Sequence, residues 1–349
     1  MTRILVTGAN GHIGANVVRS LLKHGYEVVP FVRTTSDLRG LAPLNLTYAY
    51  GDVMDESSLL AATEGCDAII HTAAVYRYWA KDPDEIMKPA LVGTRNMFNA
   101  AKKTGIKRII YTSSVWAVGL STAPGTLLTA KDWNTDSKNP YAVAKTQSEQ
   151  VAWQMSDEFG IPMIAICPNG VLGPYDFRPT PSTAFFRDLL NGTQATLNAG
   201  FAYADVRDVA EIHMLAVSGG EAGKRYIVSG ENITLREVGQ LVGKLTGFTS
   251  RHLGLGRTSS ALLGSMLDLL SKVTKSEPLF TRNFADDVFE RYMFTDCQET
   301  WDTFVYQPRS TETMVSDTIR WLLHIGEIKT NRAAQIADKF PPNPEWVMA

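Results

Sequence analysis

The sequence predicts an α/β fold with a Rossmann-type, doubly wound parallel sheet. Three observations predict it. Short β-rich apolar runs alternate with helical stretches in the first half of the chain, a glycine-rich turn joins the first run to the first helix, and the alternation breaks up after Asn169. Alternation of this kind is typical of parallel sheets with helices on both faces. A ligand is therefore expected at the carboxyl ends of the strands.

The alternation also predicts how the chain divides. Residues 1–168 are expected to form a dinucleotide-binding Rossmann domain, to which residues 204–230 return. Residues 169–203 and 231–325 are expected to form a smaller, mainly C-terminal α/β substrate lobe, in which Thr234 and Glu237 are spaced as a capping box. Residues 326–349 are a C-terminal extension, either packed or partner-binding. The predicted strands are ILVTG, YEVVPFV, LTYAY, DAIIH, RIIYTSS and PMIAICP.

Composition narrows the function classes. The 349 residues include 34 Lys and Arg against 36 Asp and Glu, so no nucleic-acid partner and no charge-driven membrane binding are expected. Three scattered cysteines do not make a disulfide framework or a zinc site. The N-terminus starts directly on a strand pattern, and no stretch is long enough to span a bilayer. We therefore expect a soluble cytoplasmic protein that acts on small molecules.

The segment VTGANGHIGANVV places three glycines between the first strand and the first helix. Gly8 allows a tight turn, Gly11 allows the backbone to approach a pyrophosphate, and Gly14 allows close packing of the helix. The helix N-terminus then offers N–H groups to the anion. A purely structural turn is the alternative, which the strand–turn–helix context disfavours.

The residues after the second and third strands bear on the dinucleotide. Arg33, at the end of the second strand, predicts pairing with a 2′-phosphate and hence a preference for NADP(H) over NAD(H), unless it only faces solvent. Asp52 follows the third strand, where it could accept a hydrogen bond from adenine or serve as a turn residue.

The fourth predicted strand ends in HTAA, residues 71–74. Its small side chains suit a backbone pressed against a cofactor. His71 itself is expected to be a packed or hydrogen-bonded strand-end residue rather than a catalyst.

Two further segments carry the chemistry. A strand runs out into Ser113 and Ser114, and NPYAVAK places Tyr141 and Lys145 four residues apart on one helical face. If strand and helix meet, the ammonium lowers the pKa of the phenol, the phenol transfers a proton, and a serine hydroxyl orients the same oxygen. A solvated helix face is the alternative for each part alone.

These motifs together resemble the extended short-chain dehydrogenase/reductase family over about the first 230 residues. The resemblance implies a catalytic set of Ser114, Tyr141 and Lys145, with Ser114 preferred over Ser113. It also implies that cofactor contacts come from Gly8, Asn10, Gly11, His12, Ile13, Gly14, Arg33, Asp52, Val53, Ala73, Ala74, Tyr141, Lys145, Pro168 and Val171. The motifs that carry it are TGANGHIG, GDVMD, HTAA, YTSS, YAVAK, CPNGVLGP and YADVRDVA.

Within that family, the chain is similar to the dihydroflavonol reductase-like branch. The segments VRTTSDLRGL, YRYWAKDPDE and MKPALVGTRNMFNAA carry this similarity. Many sugar-modifying members have Asn at the position of Ala90, whereas the reductases do not. Plant flavonoid reductases have a substrate-binding Asn where this chain has Gly119, which puts a flavonoid substrate in doubt.

The substrate pocket is predicted by type only. An aromatic, largely uncharged lining suits a hydrophobic or aromatic carbonyl compound better than a nucleotide sugar, whose phosphates call for basic residues. Arg178 and Arg187 keep the nucleotide-sugar alternative open, and any one aromatic could be core instead. The candidate lining residues are Tyr76, Tyr78, Trp79, Trp116, Asn169, Phe177, Phe185, Phe186, Phe201 and Tyr203.

The first functional hypothesis is an NADPH-dependent reductase of a hydrophobic or aromatic ketone or aldehyde, reversible as an alcohol dehydrogenase, with Tyr141 as general acid/base. The alternative is an NAD(P)-dependent sugar-nucleotide epimerase or dehydratase. A cofactor-sensing regulatory protein is a third hypothesis, which the presence of both Tyr141 and Lys145 disfavours. A small-molecule carbonyl or alcohol substrate is expected, and the family resemblance makes a homodimer an open expectation.

Overall fold

A seven-stranded parallel sheet forms the centre of the molecule. The structure is a computed structural model that describes residues 2–274 and 282–347. In spatial order the large sheet contains β10 (Arg225–Val228), β6 (Met163–Pro168), β5 (Arg108–Thr112), β4 (Ala68–His71), β1 (Arg3–Thr7), β2 (Glu27–Val32) and β3 (Ala49–Tyr50). Each neighbouring pair is parallel. The predicted doubly wound α/β fold is confirmed.

Helices cover both faces of this sheet. One face packs against α1 (His12–Lys23) and α7 (Val206–Leu215), and the other against α2 (Glu56–Thr63), α3 (Asp84–Thr104) and α5 (Pro140–Phe159). Central strand residues Ile4, Leu5 and Val6 are fully buried, because a parallel strand between two helical layers has no solvent-facing side. This explains why the strands appear as continuous apolar runs in the sequence.

A smaller α/β lobe lies over the carboxyl ends of the large sheet. It contains a three-stranded sheet in the order β11 (Asn232–Thr234), β9 (Gly200–Asp205), β7 (Gly170–Leu172), and a pair formed by β12 (Arg251–Leu253) and β8 (Ala195–Leu197). Its apolar core includes Val115, Trp116 and Tyr141 from the Rossmann half. The two halves therefore share a core. The division into a Rossmann domain and a substrate lobe predicted above remains a proposal.

The remaining helices are short connectors or belong to the smaller lobe. They are α4 (Val115–Val118), α6 (Pro181–Leu190), α8 (Leu235–Thr246), α9 (Arg257–Thr274), α10 (Arg282–Val288), α11 (Gln298–Phe304), α12 (Thr311–His324), α13 (Thr330–Ile336) and α14 (Pro344–Val347). The predicted capping box at the start of α8 is confirmed: Thr234 Oγ1 accepts from the Glu237 N–H, and the Glu237 carboxylate accepts from the Thr234 N–H.

The C-terminal extension packs onto the body of the protein. Ile336, Phe340 and Trp346 are buried, and the Trp346 ring lies 5.8 Å from that of Trp321. Among residues 2–274 and 282–347, no helix combines the length and the apolar character needed to cross a membrane.

A buried histidine in this fold gives stability a pH dependence. His213 on α7 shares hydrogen bonds with Thr112 Oγ1 and the Val209 carbonyl, and burial lowers its pKa from 6.5 to about 4. The unfolded chain therefore takes up a proton first as the pH falls, so this group contributes stability above about pH 6.5 and loses it toward about pH 4.

We expect His213 to remove about 2 kcal/mol of unfolding free energy between pH 7 and pH 5. Urea unfolding of the wild type and of His213→Asn at both pH values measures this contribution, and the variant should show a smaller loss. His24→Asn is the control, since that side chain is partly exposed at the end of α1. Equal pH slopes in wild type and His213→Asn would contradict the assignment.

Candidate active site

The glycine-rich loop connects β1 to α1 at the carboxyl edge of the sheet. Gly8 has a φ of +66°, which favours glycine, and a side-chain carbon there would lie 2.7 Å from Ala73 Cα. At Gly14 an added carbon would lie 2.2 Å from the Gly8 carbonyl oxygen. These contacts are with backbone atoms, which cannot move aside. The loop is therefore tightly packed against β4 on one side and α1 on the other.

The N-terminus of α1 is built to receive an anion. Gly11 is its N-cap and supplies no side-chain acceptor to the first N–H groups. His12 is buried, its Nδ1 lies 3.7 Å from an Asp176 carboxylate oxygen, and its Nε2 is buried without a hydrogen-bond partner in the described structure. Uncapped N–H groups and an unpaired imidazole nitrogen fit a dinucleotide pyrophosphate.

A single cavity of about 630 Å³ connects this loop to the smaller lobe. On the Rossmann side it is lined by Gly8, Gly11, His12, Ile13, Gly14, Ala74, Thr112, Ser113, Ser114, Tyr141, Lys145, Pro168 and Val171. The structure thus brings together the predicted glycine loop, strand end and helix. Ala73 contacts the same loop through its backbone.

Tyr141 lies in the first turn of α5. Pro140 begins the helix, and the Asn139 side chain accepts a hydrogen bond from the Tyr141 N–H. These contacts fix the backbone from which the Tyr141 ring extends. Burial is the main reason that the pKa of Tyr141 is raised, while a hydrogen bond from Ser114 opposes the rise. The lowered phenol pKa expected from the sequence is not present here, because burial outweighs the favourable contacts. Tyr141 therefore holds its proton at neutral pH.

Lys145 is one helical turn further along α5. Its Nζ donates to the Thr112 carbonyl oxygen at 3.0 Å, so the ammonium is tied to the end of β5. Burial lowers the pKa of Lys145 to about 8, against the opposing effect of Glu149. The group is still mainly protonated at neutral pH, but it titrates close to it.

The two serines at the end of β5 have different surroundings. Ser113 Oγ donates to a Glu149 carboxylate oxygen. Ser114 caps the short helix α4 by accepting from the Trp116 N–H at 3.2 Å, and its hydroxyl interacts with Tyr141. Ser114 is thus the serine placed beside the phenol, and this geometry favours it as the oxygen-orienting group.

An aromatic wall formed by Tyr76, Tyr78 and Trp116 surrounds Tyr141. The three ring centroids lie 5.0, 5.8 and 6.5 Å from that of Tyr141. The hydroxyls of Tyr76 and Tyr78 are 2.9 Å apart, and Tyr76 also reaches Ser182 Oγ at 3.0 Å. The wall buries most of the Tyr141 ring, which nevertheless lines the cavity.

Residues predicted for the adenosine end lie away from this cavity. Arg33 is exposed, and no hydrogen bond or ion pair of its guanidinium occurs within the described residues. Asp52 Oδ1 accepts from the Met54 N–H at 2.9 Å, the turn role that the sequence allowed. The Val53 side chain packs against Gly93. Contacts of Arg33, Asp52, Val53 and Asn10 with a dinucleotide remain proposals.

The predicted substrate side of the pocket is partly corrected. Phe177 and Trp79 are not among the described residues that line the cavity; the Phe177 ring instead packs edge-on against Trp321 at 4.9 Å. Phe186 is fully buried in the core. Asn169 lines the cavity, but its amide is engaged with the Met293 carbonyl and the Gly170 N–H. Phe177 follows a long, turn-rich segment, so its direction was not readable from the sequence.

The two arginines that left a nucleotide-sugar substrate possible are engaged in ion pairs. Arg178 is largely exposed and pairs with Asp37, while Arg187 pairs with Asp188 and Glu327. His71 matches its structural prediction, since it is buried, hydrogen-bonded to Thr7 Oγ1 at 2.8 Å and stacked on Tyr111.

Sequence reasoning missed several residues of the cavity and its surroundings. The cavity is also lined by Ser182, Thr193, Gln194, Leu197, Leu235, Leu253, Val288 and Met293, and Glu149 and Arg225 lie behind it. The only local signal was that Glu149 follows Tyr141 and Lys145 at the same four-residue spacing. The others come from segments far apart in the chain.

A model of the NAD dependent epimerase/dehydratase family matches residues 4–229, more than half of the chain. The chain belongs to this family. It is a member of the extended short-chain dehydrogenases/reductases, as its motifs predicted, and is an NAD(P)-dependent oxidoreductase. The fold and the glycine loop described above agree with this membership.

Individual relatives extend beyond the motif region. Sterol demethylase protein B of Methylococcus capsulatus is 34% identical over 255 residues, covering 72% of this chain and 76% of the relative. Cinnamoyl-CoA reductase 1 of Petunia hybrida is 34% identical over 258 residues, covering 69% and 76%. The crystal structure of gox2253 superposes with a TM-score of 0.84 at 32% identity, covering 94% of this chain and 100% of that one. A further relative has the provisional name of a dihydroflavonol 4-reductase, so the predicted branch is confirmed.

Proposed function

We propose that this family member is an NADPH-dependent reductase of a bulky hydrophobic or aromatic ketone or aldehyde, and that it can run in reverse as an alcohol dehydrogenase. The supporting observation is the cavity. Its substrate side combines the aromatic wall with further apolar side chains, namely Phe185, Leu197, Phe201, Leu235, Leu253, Val288 and Met293. Only Asp188, His12 and Lys145 bring titratable charge to the described lining.

That lining disfavours the epimerase or dehydratase alternative. A nucleoside diphosphate carries charges that proteins bind with arginine or lysine side chains. Among the described residues, no arginine lines the cavity, and Lys145 is already held by the Thr112 carbonyl. The name of one relative reported above, sterol demethylase protein B, also supports an apolar substrate.

In this reaction Ser114, Tyr141 and Lys145 each have a separate role. The substrate oxygen binds between Tyr141 and Ser114, where the Ser114 hydroxyl orients it and Tyr141 donates a proton to it. The raised pKa of Tyr141 keeps that proton available at neutral pH. The Lys145 ammonium stabilises the phenolate left behind. The bound dinucleotide supplies the hydride, and the aromatic wall keeps water out of the site.

The experiment is a substrate screen that follows nicotinamide absorbance. Purified protein with NADPH is offered bulky ketones and aldehydes, including steroid ketones and cinnamaldehydes, and in parallel nucleoside diphosphate sugars. Stoichiometric loss of NADPH with an apolar carbonyl compound is the expected result. Conversion of a nucleotide sugar without net NADPH consumption would replace this proposal by the epimerase alternative.

Arg33 provides a separate prediction about the dinucleotide. Because its guanidinium is exposed at the end of β2, we expect it to pair with the 2′-phosphate and to favour NADPH over NADH. Arg33→Ser should weaken NADPH binding by about 10-fold or more, the loss of one charge-assisted hydrogen-bonded pair, while changing NADH binding little. Calorimetric titration of both dinucleotides measures this. Arg39→Ser, an exposed arginine paired with Asp37, is the matched control.

A further inference from the structure

A third ionisable side chain lies on the same face of α5 as Tyr141 and Lys145. Glu149 follows Lys145 by one helical turn and its side chain is fully buried. A buried carboxylate is costly unless it is paired and hydrogen-bonded. The side chains around Glu149 must therefore supply these partners.

Every contact of the Glu149 carboxylate is a donor. Arg225 Nε donates to Oε1 at 2.7 Å and its terminal nitrogen donates to Oε2 at 3.2 Å. Trp153 Nε1 donates to Oε1 at 3.1 Å, and Ser113 Oγ donates to Oε2. Four donors to one carboxyl group favour a carboxylate, because a protonated acid would have to donate in turn.

Arg225 anchors this carboxylate to the rest of the site. It lies on the edge strand β10, where its other terminal nitrogen donates to the carbonyl oxygens of Ala130 and Asp132 at 3.0 and 2.5 Å. Its guanidinium is stacked 4.0 Å from the centre of the Trp133 ring. The pair thus joins α5, β10 and the segment that leads from α4 into α5. Its geometry is rigid and bidentate, unlike that of an exposed ion pair.

The ion pair and Lys145 hold two consecutive residues at the end of β5. Glu149 holds the Ser113 hydroxyl, and Lys145 holds the Thr112 carbonyl. The next residue is Ser114, whose hydroxyl must face Tyr141. Two consecutive anchors therefore set the position of the strand end from which Ser114 extends.

Glu149 also sets the electrostatic surroundings of Lys145. The titratable groups that face this ammonium are Tyr141 and Glu149 on α5, His71 on β4, Tyr111 on β5 and Cys167 on β6, with Arg225 of β10 behind Glu149. Burial raises the pKa of the Cys167 thiol to about 12 and lowers that of His71 to about 3, so both are neutral. Among the described groups around Lys145, the Glu149 carboxylate is the one that opposes the lowering of the Lys145 pKa most strongly.

We propose that Glu149, held in place by Arg225, is a positioning residue of this site that aligns the Ser114-bearing strand end and keeps the Lys145 ammonium charged. The second role is independent of the first, since one depends on the shape of the side chain and the other on its charge. The inference rests on the proposed reductase function for its kinetic test, but not for its binding test.

Glu149→Gln separates charge from shape. The amide is isosteric with the carboxylate but cannot neutralise Arg225 or favour a charged Lys145. We expect the alkaline limb of the pH profile of kcat to move toward lower pH by about one unit, the lower end of the shifts that a nearby opposite charge produces. The alkaline limb of NADPH affinity, measured by nucleotide fluorescence without any carbonyl substrate, should move in the same direction.

Two companion variants keep the test decisive. Glu149→Asp keeps the charge but shortens the reach to Ser113, so kcat should fall while the alkaline limb stays in place. Glu158→Gln alters an exposed glutamate on the same helix and should change neither. If Glu149→Gln is poorly folded, Glu149→Gln/Arg225→Met removes both buried charges. It should move the limb in the same direction by a smaller amount, because the opposing positive charge of Arg225 is lost as well.

A purely structural role would give a different pattern. In that case kcat would fall with the folded fraction, measured by the melting temperature, and both alkaline limbs would stay at the wild-type pH. That result would overturn the proposal. If no carbonyl compound is reduced by the wild type, the proposed function fails, whereas a shifted limb of NADPH affinity would still establish the effect of Glu149 on Lys145.

Discussion

Tyr141→Phe should lower kcat for carbonyl reduction by about 100- to 10,000-fold, the range that a positioned general acid contributes. The substitution removes only the hydroxyl that transfers the proton. The ring remains in contact with the aromatic wall, whose centroids lie 5.0 to 6.5 Å away. NADPH affinity and the melting temperature should therefore stay close to wild type. Steady-state kinetics, dinucleotide titration and thermal unfolding measure the three quantities.

Tyr203→Phe is the matched control for this experiment. Tyr203 lies on β9, lines the same cavity and is buried to a similar extent. Removing its hydroxyl should change KM more than kcat, since it is not beside Ser114 and Lys145. A Tyr141→Phe protein with undiminished kcat would exclude Tyr141 as the proton donor. Such a result would mean that another group supplies the proton. Dinucleotide binding without turnover of any carbonyl compound by the wild type would instead favour the hypothesis of a protein that senses a dinucleotide without chemistry.

Gly14→Ala should be the most damaging single substitution at the dinucleotide loop. The added carbon would lie 2.2 Å from the Gly8 carbonyl oxygen and 2.8 Å from Ala9 Cα. Neither atom can rotate away, so α1 must move outward from the loop. We expect a loss of about 1–3 kcal/mol of unfolding free energy from overpacking. We also expect NADPH affinity to fall by about 100-fold, because the N–H groups of α1 lose their alignment with the pyrophosphate.

Urea unfolding and calorimetric titration with NADPH measure the two losses separately. Gly125→Ala is the control, since an added carbon there would meet no atom within 4 Å. It should leave both quantities unchanged. Unchanged affinity in a stably folded Gly14→Ala protein would argue that the pyrophosphate does not bind at this loop.

Much of the fold was predictable from local patterns. Apolar runs such as the one around Ile4, Leu5 and Val6 are readable because each strand is buried on both faces. The loop from Gly8 to Gly14 is readable because a steric requirement fixes its residue type. The helical spacing of Tyr141 and Lys145 is set by the geometry of one helix, and the structure indeed places both in the cavity.

Other features of the site depend on contacts between distant segments. Phe177 was expected in the pocket, but its ring packs on Trp321, which lies 144 residues further along the chain. The partner of Glu149 is Arg225, a separation of 76 residues. The raised pKa of Tyr141 also has a tertiary cause, since burial outweighs the favourable groups that the sequence did reveal.

The sequence by itself determined the Rossmann-type fold, the glycine loop and the shared helical face of Tyr141 and Lys145, because these depend on residue types within single turns, strands and helices. Only the tertiary structure decided which serine lies beside Tyr141, which aromatic residues line the cavity and which groups surround Lys145. Those properties arise from burial and from side chains brought together across the two lobes, and neither is encoded in the spacing of neighbouring residues.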